Sequence, residues 1–435
     1  MQSESVWTVI TVTAYLAVLT VVALKARAAR RFEDFSLAGR SLPLPLVFGS
    51  LAATYVGALF SIGFVGLGFH SGYLFLGLGI AVAVQNVLVG LMIAPRLRAL
   101  EGCHTLGDII GQKYNRLSQI IAGLISVGLC TALAGVMIKA GGQLIADAVG
   151  LPLWSGVIIF GGVTTLYTTF GGLRASVVTD GFQFLAFTIL VPVLFILLIS
   201  TGNSTGEGFT AKAISLTISG GHNMSWIDML GWLTAFLLGE TLIPPYANRA
   251  LASRSTRIAR NSFILAGVFS IVWFVVVTSL GILAATDIGI VEHIAGLPSD
   301  IQEDAVLTTL VQYRLPKPFY GLLLVVLMSV IMSSLDSLLN AGAVSCSRDI
   351  ACQVKTLSSD RALTVGRSAT VLIAMGAAVG ALMVPGILAG LRVCYTIWAP
   401  AILPALILGL YLRRASPLAG ILSMITGTLT AVLFE

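Results

Sequence analysis

The chain has 435 residues, of which 57% are hydrophobic and only 10% charged, and its mean hydropathy is +0.97. This composition lies far outside the range of soluble domains, so it excludes a soluble globular protein. The formal net charge of +6 is spread over short loops, which argues against a nucleic-acid-binding protein. The 5 cysteines and 4 histidines show no metal-ligand spacing, so neither a disulfide framework nor an enzyme active site is expected.

Apolar segments of roughly 20 residues follow one another along the chain, each long enough to cross a bilayer as a helix. About twelve spans are predicted, at 6–26, 43–68, 72–95, 117–148, 152–170, 177–200, 226–246, 261–285, 317–344, 364–383, 387–411 and 416–434. If the spans alternate, the basic residues between them fall on one side, including Arg249, Arg254, Arg257 and Arg260. The positive-inside rule makes this side the cytoplasm, which predicts an inner-membrane protein with both termini outside.

The order of the spans predicts one transporter domain over 1–435. Residues 6–26 form a leading helix and 416–434 a trailing helix. The ten spans between them divide into two halves of five, at 43–200 and 226–411. An odd number of spans per half means that a structural repeat would be inverted in the membrane, as in many secondary transporters.

Helix-breaking residues fall at corresponding places in the two halves. The first span of the first half carries AATYVGA at 52–58, and the first span of the second half carries GETLIPP at 239–245. Two prolines remove backbone donors and leave carbonyl groups unpaired. Helices interrupted at matching positions indicate a binding site near the middle of the membrane.

Polar side chains form a ribbon along one face of the strongly apolar span 317–344. Most of them recur every three or four residues, and they are Ser329, Ser333, Ser334, Asp336, Ser337 and Asn340. Such groups are costly in lipid unless they line a cavity or bind something. Because hydroxyl and carboxylate oxygens are hard ligands, the ribbon predicts a site for an alkali cation or a proton.

Several stretches resemble motifs of the sodium:solute symporter family. They are YTTFGGLRASVVTD at 167–180, AGRS at 38–41, TLGD at 105–108, NRALA at 248–252 and SSLDS at 333–337. The resemblance implies the leucine-transporter-type (LeuT-type) all-α fold, with five-plus-five inverted repeats. It implies sodium held by the carbonyls of Ala53, Val56 and Val330 and the hydroxyls of Ser333 and Ser334. Asp180, together with Asp336 and Ser337, is assigned to a second ion site or the sodium exit path.

Lys139 is the main clue to the solute, because it lies about ten residues inside the outer end of its predicted span. It is interpreted as the cation that meets a carboxylate-bearing solute, such as pantothenate or a short organic acid. Alternatively, it pairs with Glu240, or its head reaches the membrane interface. The other expected substrate-binding residues come from helices that line the cavity in this fold, and they are Tyr55, Phe60, Gln85, Asn86, Glu240, Thr241 and Tyr395.

The sequence thus predicts a sodium-coupled symporter that imports a small organic solute by alternating access. Its expected partners are the solute, Na⁺ and the lipid bilayer, with no cofactor other than the coupling ion. Two alternatives remain open. A proton-coupled carrier would titrate Asp180, Asp336 or Glu240, and a sensory membrane domain would bind the solute without transporting it. No oligomeric state is predicted.

Overall fold

The computed structural model describes residues 2–26, 29–57, 59–201, 206–220, 225–299, 301–316, 318–383, 387–412 and 416–434. Within these ranges the regular elements are helices, apart from one isolated backbone bridge between Leu42 and Ser253. The predicted all-α architecture is therefore confirmed.

The first part of the chain, up to residue 220, contains the predicted leading helix and the helices that follow it. They are α1 (Gln2–Lys25), α2 (Phe32–Leu37), α3 (Leu44–Tyr55), α4 (Phe64–Ser71), α5 (Leu76–Leu88), α6 (Ala94–Ala99), α7 (Leu106–Lys113), α8 (Arg116–Val149), α9 (Leu153–Thr201) and α10 (Gly206–Gly220). Short π-helical segments at Leu59–Gly63 and Val89–Ile93 precede α4 and α6.

The second part of the chain, from residue 225 onward, begins with a helix that stops before the end of its predicted span. Its helices are α11 (Trp226–Gly239), α12 (Pro244–Ala252), α13 (Thr256–Ala285), α14 (Ile288–Ala295), α15 (Gln302–Arg314), α16 (Pro318–Ser345), α17 (Cys352–Val354), α18 (Ser359–Met383), α19 (Ile387–Tyr411) and α20 (Pro417–Phe434). A π-helical segment at Cys346–Ala351 joins α16 to α17.

Seven helices in the described part of the chain are long and apolar enough to cross a membrane, and the bent pair α3–α4 makes an eighth. The apolar parts of α1 and α20, at Trp7–Ala23 and Pro417–Leu433, are shorter. α11 has 14 residues and α12 has 9, so neither crosses alone. The chain is a polytopic membrane protein, and the number of twelve spans stays a prediction.

Both predicted helix breaks are present. α3 ends at Tyr55, and the axis of the chain turns by 66° before it continues towards Ser71. α11 ends at Gly239, Leu242 has the left-handed φ of 52°, and α12 begins at Pro244. A proline is favoured in the first turn of a helix because its missing N–H would have no partner there. The four residues at 240–243 thus lie between the end of α11 and the start of α12, outside both helices.

α9 contains two of the predicted spans. A straight helix of 49 residues would be about 73 Å long, well beyond the thickness of a bilayer. The helix is interrupted at Gly172, whose φ of 58° and ψ of −156° are not helical. A Cβ atom at this position would lie 2.7 Å from the Cα of Phe35. Only glycine fits this turn.

We expect Gly172→Ala to lower the free energy of unfolding by about 2 kcal/mol or more, through the positive φ and the contact with the Phe35 backbone. Gly162→Ala is the matched control, because it lies in the same helix with no atom within 4 Å of its added Cβ. It should change stability by less than about 1 kcal/mol. Thermal unfolding of the two variants in detergent compares them, and equal losses would contradict this account.

The chain before α3 meets the end of α12 where basic residues collect. The N–H of Leu42, before α3, donates to the carbonyl of Ala252 at 3.2 Å, and the N–H of Arg254 donates back to Leu42 at 2.9 Å. The Arg40 guanidinium donates to the carbonyl of Leu100 at 2.7 Å. Arginines from loops far apart in sequence thus share one end of the molecule, as the predicted positive side requires.

α16, which carries the polar ribbon, lies at the centre of the bundle. In the most apolar window of Phe319–Val354, 94% of the residues are buried within the protein. α16 packs mainly against α8 and α9, and it also contacts α3 and α12 beside their breaks. Its hydroxyl and carboxylate groups therefore face other helices rather than lipid.

Candidate functional site

Two neighbouring hydroxyls of α16 meet the backbone carbonyls at the end of α3. The Oγ of Ser333 lies 3.1 Å from the carbonyl oxygen of Ala53 and 2.8 Å from that of Val330. The Oγ of Ser334 lies 3.4 Å from the carbonyl of Thr54 and 3.5 Å from that of Val330. All these oxygens are buried, so the arrangement offers a cluster of hard neutral ligands.

The break after α3 is what allows this close approach. A Cβ atom on Gly57 would lie 2.9 Å from the Oγ of Ser334, so a side chain there would displace the hydroxyl. The carbonyl of Val56, also expected as a ligand, accepts a hydrogen bond from the Ser61 hydroxyl at 2.5 Å. Four of the five predicted sodium ligands thus touch one another directly, and Val56 is engaged by Ser61 beside them.

A buried ion pair lies about one helical turn from these hydroxyls, beside Ser337 of α16 and Ser50 of α3. The guanidinium of Arg249, on α12, is 3.0 Å from an oxygen of Asp180 on α9. It also donates to the hydroxyls of Ser337 on α16 and Ser50 on α3. The Ser50 hydroxyl donates to the same oxygen of Asp180 at 2.5 Å. Arg249 and Asp180 are fully buried, and Arg249 links four helices at this level.

Asp336 lies beside this pair and is held by hydroxyl groups. Its carboxylate accepts hydrogen bonds from Ser176 at 2.7 Å, Tyr167 at 3.0 Å and Thr179 at 3.1 Å. The hydroxyl of Ser337 lies 3.2 Å away. Two carboxylates therefore face a single guanidinium, and the other oxygen of Asp180 has no hydrogen-bond partner among the described residues.

A small cavity opens next to the Ser334 hydroxyl, between the two helix breaks. Its volume is about 30 Å³, room for one or two water molecules. The described residues around it are Thr54, Gly57, Phe60, Leu133, Met137, Glu240, Ile243, Tyr246, Ser334, Leu338, Leu391 and Tyr395. Three of the predicted substrate-binding residues, Phe60, Glu240 and Tyr395, are among them.

Glu240 occupies the break between α11 and α12 and is 2% exposed. One of its oxygens accepts hydrogen bonds from the hydroxyls of Tyr246 at 2.5 Å and Tyr395 at 3.4 Å. Its other oxygen has no partner among the described residues. Glu240 is thus held in place from one side while its second oxygen stays available.

The other expected substrate-binding residues lie outside this cavity. The hydroxyl of Thr241 donates a hydrogen bond to the carbonyl of Leu237, at 3.1 Å. Gln85 and Asn86 are buried, and their amide atoms have no partner among the described residues. The Tyr55 ring is 4.0 Å from that of Tyr246, and its hydroxyl is also unpartnered among those residues. Buried polar atoms without partners are unusual, so the surroundings of Tyr55, Gln85 and Asn86 are a place where polar ligand atoms would be favourable.

Lys139 lies on α8, half-buried, and is not among the described residues that line the cavity. Its positive charge acts on Asp304, in the outer helix α15, and lowers the pKa of that carboxyl. Burial, and next the neighbouring Glu303, act in the opposite direction and raise the pKa of Asp304 to about 6. The pairing of Lys139 with Glu240 and its contact with a carboxylate-bearing solute stay predictions.

The raised pKa of Asp304 predicts a pH-dependent stability. Because folding favours the protonated acid, the contribution of Asp304 becomes less favourable as pH rises from about 4 to about 6. Asp304→Asn, which stays neutral, should therefore stabilise the protein more at pH 7 than at pH 5. Thermal unfolding of both proteins at the two pH values measures this. An equal difference at both would contradict the prediction.

The sequence analysis missed several residues of the buried network. Its grouping of Arg249 with the arginines of a cytoplasmic loop is wrong, because α12 carries Arg249 into the core, 0% exposed. Ser50, Tyr167, Ser176 and Thr179 were not singled out either. The available signal was position, because Arg249 follows a Pro-Pro helix start by one turn and lies within a family-like motif. An arginine there must find a buried acid.

Two helices broken at mid-membrane around a central buried helix define a secondary transporter of the LeuT-type fold. A solved Na⁺-coupled sialic acid symporter, in a substrate-bound outward-open state, superimposes with a TM-score of 0.83 at 16% identity, covering 99% of this chain and 98% of its own. A nucleobase-cation-symport-1 family transporter gives 0.57 at 14% identity, covering 92% of each chain. The model of the sodium:solute symporter family matches residues 35–427, and the chain belongs to this family.

Curated relatives agree with this membership. The chain is 26% identical over 457 residues to the sodium/glucose cotransporter of Vibrio parahaemolyticus, covering 94% of this chain and 82% of the relative. It is 25% identical over 432 residues to the uncharacterized symporter YidK of Escherichia coli, strain K12, covering 92% and 73%. A 200-residue match to the sodium/pantothenate symporter of the same organism has 32% identity and covers 42% and 40%. The protein is a Na⁺-coupled multi-pass membrane transporter and not an enzyme.

Proposed function

We propose that the protein imports a small organic solute together with Na⁺ across a bacterial-type inner membrane, by alternating access. The observation that carries this proposal is the meeting of the Ser333 and Ser334 hydroxyls with the carbonyls at the end of α3. In this proposal both chain termini face outward, in line with the clustering of basic residues at the opposite end.

The proposed sodium ligands are the carbonyl oxygens of Ala53, Val56 and Val330 and the hydroxyl oxygens of Ser333 and Ser334. Carbonyls of unwound helices are typical ligands of the coupling ion in such transporters. The two hydroxyls now point at carbonyls, and binding of Na⁺ would turn their protons away. The ion would then tie α3 to α16 and hold the two helices at one fixed distance.

Ser334 also lines the small cavity, so the proposed sodium site and the proposed solute site share this residue. A solute that fits the cavity would therefore contact the side chain that holds Na⁺. This supports coupling between the two sites, which must be equal in both directions: Na⁺ strengthens solute binding as much as the solute strengthens Na⁺ binding. The volume of about 30 Å³ means that the cavity has to widen to admit a whole solute.

Asp180, Asp336 and Ser337 are proposed to form the route by which Na⁺ leaves towards the inside. Asp336 and Ser337 lie within about one helical turn, roughly 5 Å, of Ser333 on α16. Asp180, on α9, is bonded to the same Arg249 guanidinium as Ser337. The Arg249 guanidinium already contacts both Asp180 and Ser337, so a fixed positive charge occupies the place that a second Na⁺ would take. We therefore favour an exit path over a second permanent sodium site.

The proposal is tested with the purified protein and no knowledge of its solute. The melting temperature should rise when Na⁺ replaces K⁺ at constant ionic strength, because an ion that binds the folded state stabilises the protein. In proteoliposomes, an inward Na⁺ gradient should drive uptake of the solutes that add to this stabilisation. Equal effects of Na⁺ and K⁺ would contradict the proposal.

Three of the buried carboxylates, Asp180, Asp336 and Glu240, favour proton coupling as the second candidate. In that case uptake follows the pH gradient and is indifferent to Na⁺. Solute binding without uptake under either gradient would instead favour the sensory alternative. A carboxylate-bearing solute, expected from Lys139, stays a prediction. It requires the Lys139 side chain to reach the cavity.

A further inference from the structure

We propose that the transported solute carries a positively charged nitrogen, which binds Glu240 and the aromatic rings beside it. This inference rests on the proposed function, since it assigns the chemistry of the solute in that transporter's cavity. It differs from the carboxylate expected from the sequence, and the charge of the cavity wall is what separates the two.

The first argument is the free oxygen of Glu240. Tyr246 and Tyr395 both donate to Oε1, at 2.5 Å and 3.4 Å, and so fix the orientation of the carboxylate. Oε2 is buried and has no hydrogen-bond partner among the described residues. A buried carboxylate oxygen is unfavourable without a donor, and an ammonium N–H would supply one that also carries the opposite charge.

The second argument is the sign of the cavity. Among the described residues that line it, Glu240 is the only one with a charged side chain, and the wall contains no lysine, arginine or histidine. A carboxylate solute placed here would meet the like charge of Glu240 in a region of low dielectric, where repulsion is strong. A cation in the same place would neutralise the site.

The third argument is the rest of the wall. Phe60, Tyr246 and Tyr395 contribute aromatic rings to a cavity whose volume of about 30 Å³ suits a group the size of an ammonium head. Aromatic faces attract cations, most strongly where water is excluded. One acid and three aromatic residues around a small space form a site that recognises an organic amine.

The charge preference can be measured without knowing the solute. Met137, on the cavity wall, is replaced by cysteine, and its reaction with 2-aminoethyl and 2-sulfonatoethyl methanethiosulfonate is followed by mass spectrometry in the presence of Na⁺. The two rates are normalised to those with β-mercaptoethanol, and the protein without the M137C change reports the five native cysteines. Leu338→Cys provides a second position on the same wall if M137C does not fold.

We expect the aminoethyl reagent to react at least about tenfold faster than the sulfonate after normalisation. Glu240→Gln in the same background should reduce this ratio to below about threefold. Glu303→Gln, which removes an acid of the outer helix α15, should leave the ratio unchanged. The Na⁺-dependent rise in melting temperature is recorded for every variant, so the proposed function is tested separately.

A ratio near one, a faster reaction of the sulfonate, no reaction of the aminoethyl reagent, or a ratio that survives Glu240→Gln would each overturn the inference. If the sulfonate is faster, the carboxylate expected from the sequence is supported instead. If Na⁺ stabilises the variants while the ratio stays near one, sodium coupling stands and only the ammonium assignment fails. Loss of Na⁺ stabilisation in the parent protein would instead count against the proposed function.

Discussion

Replacement of Ser333 and Ser334 by alanine together is expected to abolish the stabilisation by Na⁺ while the protein still folds. Each hydroxyl would contribute a charge-assisted contact of about 1.5–3 kcal/mol to the bound ion. Loss of both should therefore weaken Na⁺ binding at least about 100-fold. The readout is the melting temperature in a titration of Na⁺ against K⁺ at constant ionic strength.

Ser329→Ala is the matched control for this double variant. Ser329 lies on the same helix, one turn away, is equally buried, and donates to the Val325 carbonyl within α16 at 2.7 Å. This bond lies within α16 and does not involve the carbonyls at the end of α3, so its loss should leave the Na⁺ titration unchanged. A normal Na⁺ response in the double alanine variant, or an equal loss in Ser329→Ala, would show that the ion binds elsewhere.

The second large effect is expected at Arg249. Replacing it by methionine leaves Asp180 buried at 0% exposure with no counter-charge, which costs about 3–5 kcal/mol of folding free energy. Adding Asp180→Asn should recover more than half of this loss, because the uncompensated charge is then removed. The folded fraction that survives a series of heating steps, measured by size-exclusion chromatography, compares the proteins.

The control for Arg249 is the ion pair of Arg348 with Asp108, at 3.0 Å. The Arg348 side chain is 35% exposed, so water replaces much of the lost contact. Arg348→Gln should therefore cost about 1 kcal/mol or less. Equal losses from Arg249→Met and Arg348→Gln, or no recovery on adding Asp180→Asn, would contradict the role assigned to burial.

The fold was largely predictable because a bilayer imposes simple rules on sequence. Apolar length marks a span, and the prolines at 244 and 245 mark a helix start that no other interpretation explains. The turn at Gly172 was less visible, since a glycine pair in an apolar stretch is common in membrane helices. Its necessity comes from the approach of Phe35, a contact between distant parts of the chain that no local pattern encodes.

The candidate site was predictable where residues act through helical spacing and not where they act across helices. Ser333, Ser334 and Asp336 share one face of α16, and the sequence shows this directly. The partners of Asp336 lie more than 150 positions away, at Tyr167 and Thr179. Their roles depend on how α9 packs against α16, which periodicity within either helix does not specify.

Lys139 illustrates a further limit of sequence reasoning. Depth along a helix was read as proximity to the solute, but depth does not fix the direction in which a side chain points. In the structure the lysine acts on Asp304 of the outer helix, while Glu240 lines the cavity. Which of these two charges meets the solute stays a prediction, because position along a helix does not specify it.

The backbone bridge between Leu42 and Ser253 has a mechanical consequence. Two N–H···O=C bonds, at 3.2 Å and 2.9 Å, fasten the start of α3 to the end of α12. If α3 tilts, α12 must tilt with it, or both hydrogen bonds must break. α3 and α12 are therefore expected to move together as one unit. Bending within each broken helix would then occur at its break, near Gly57 and near Glu240.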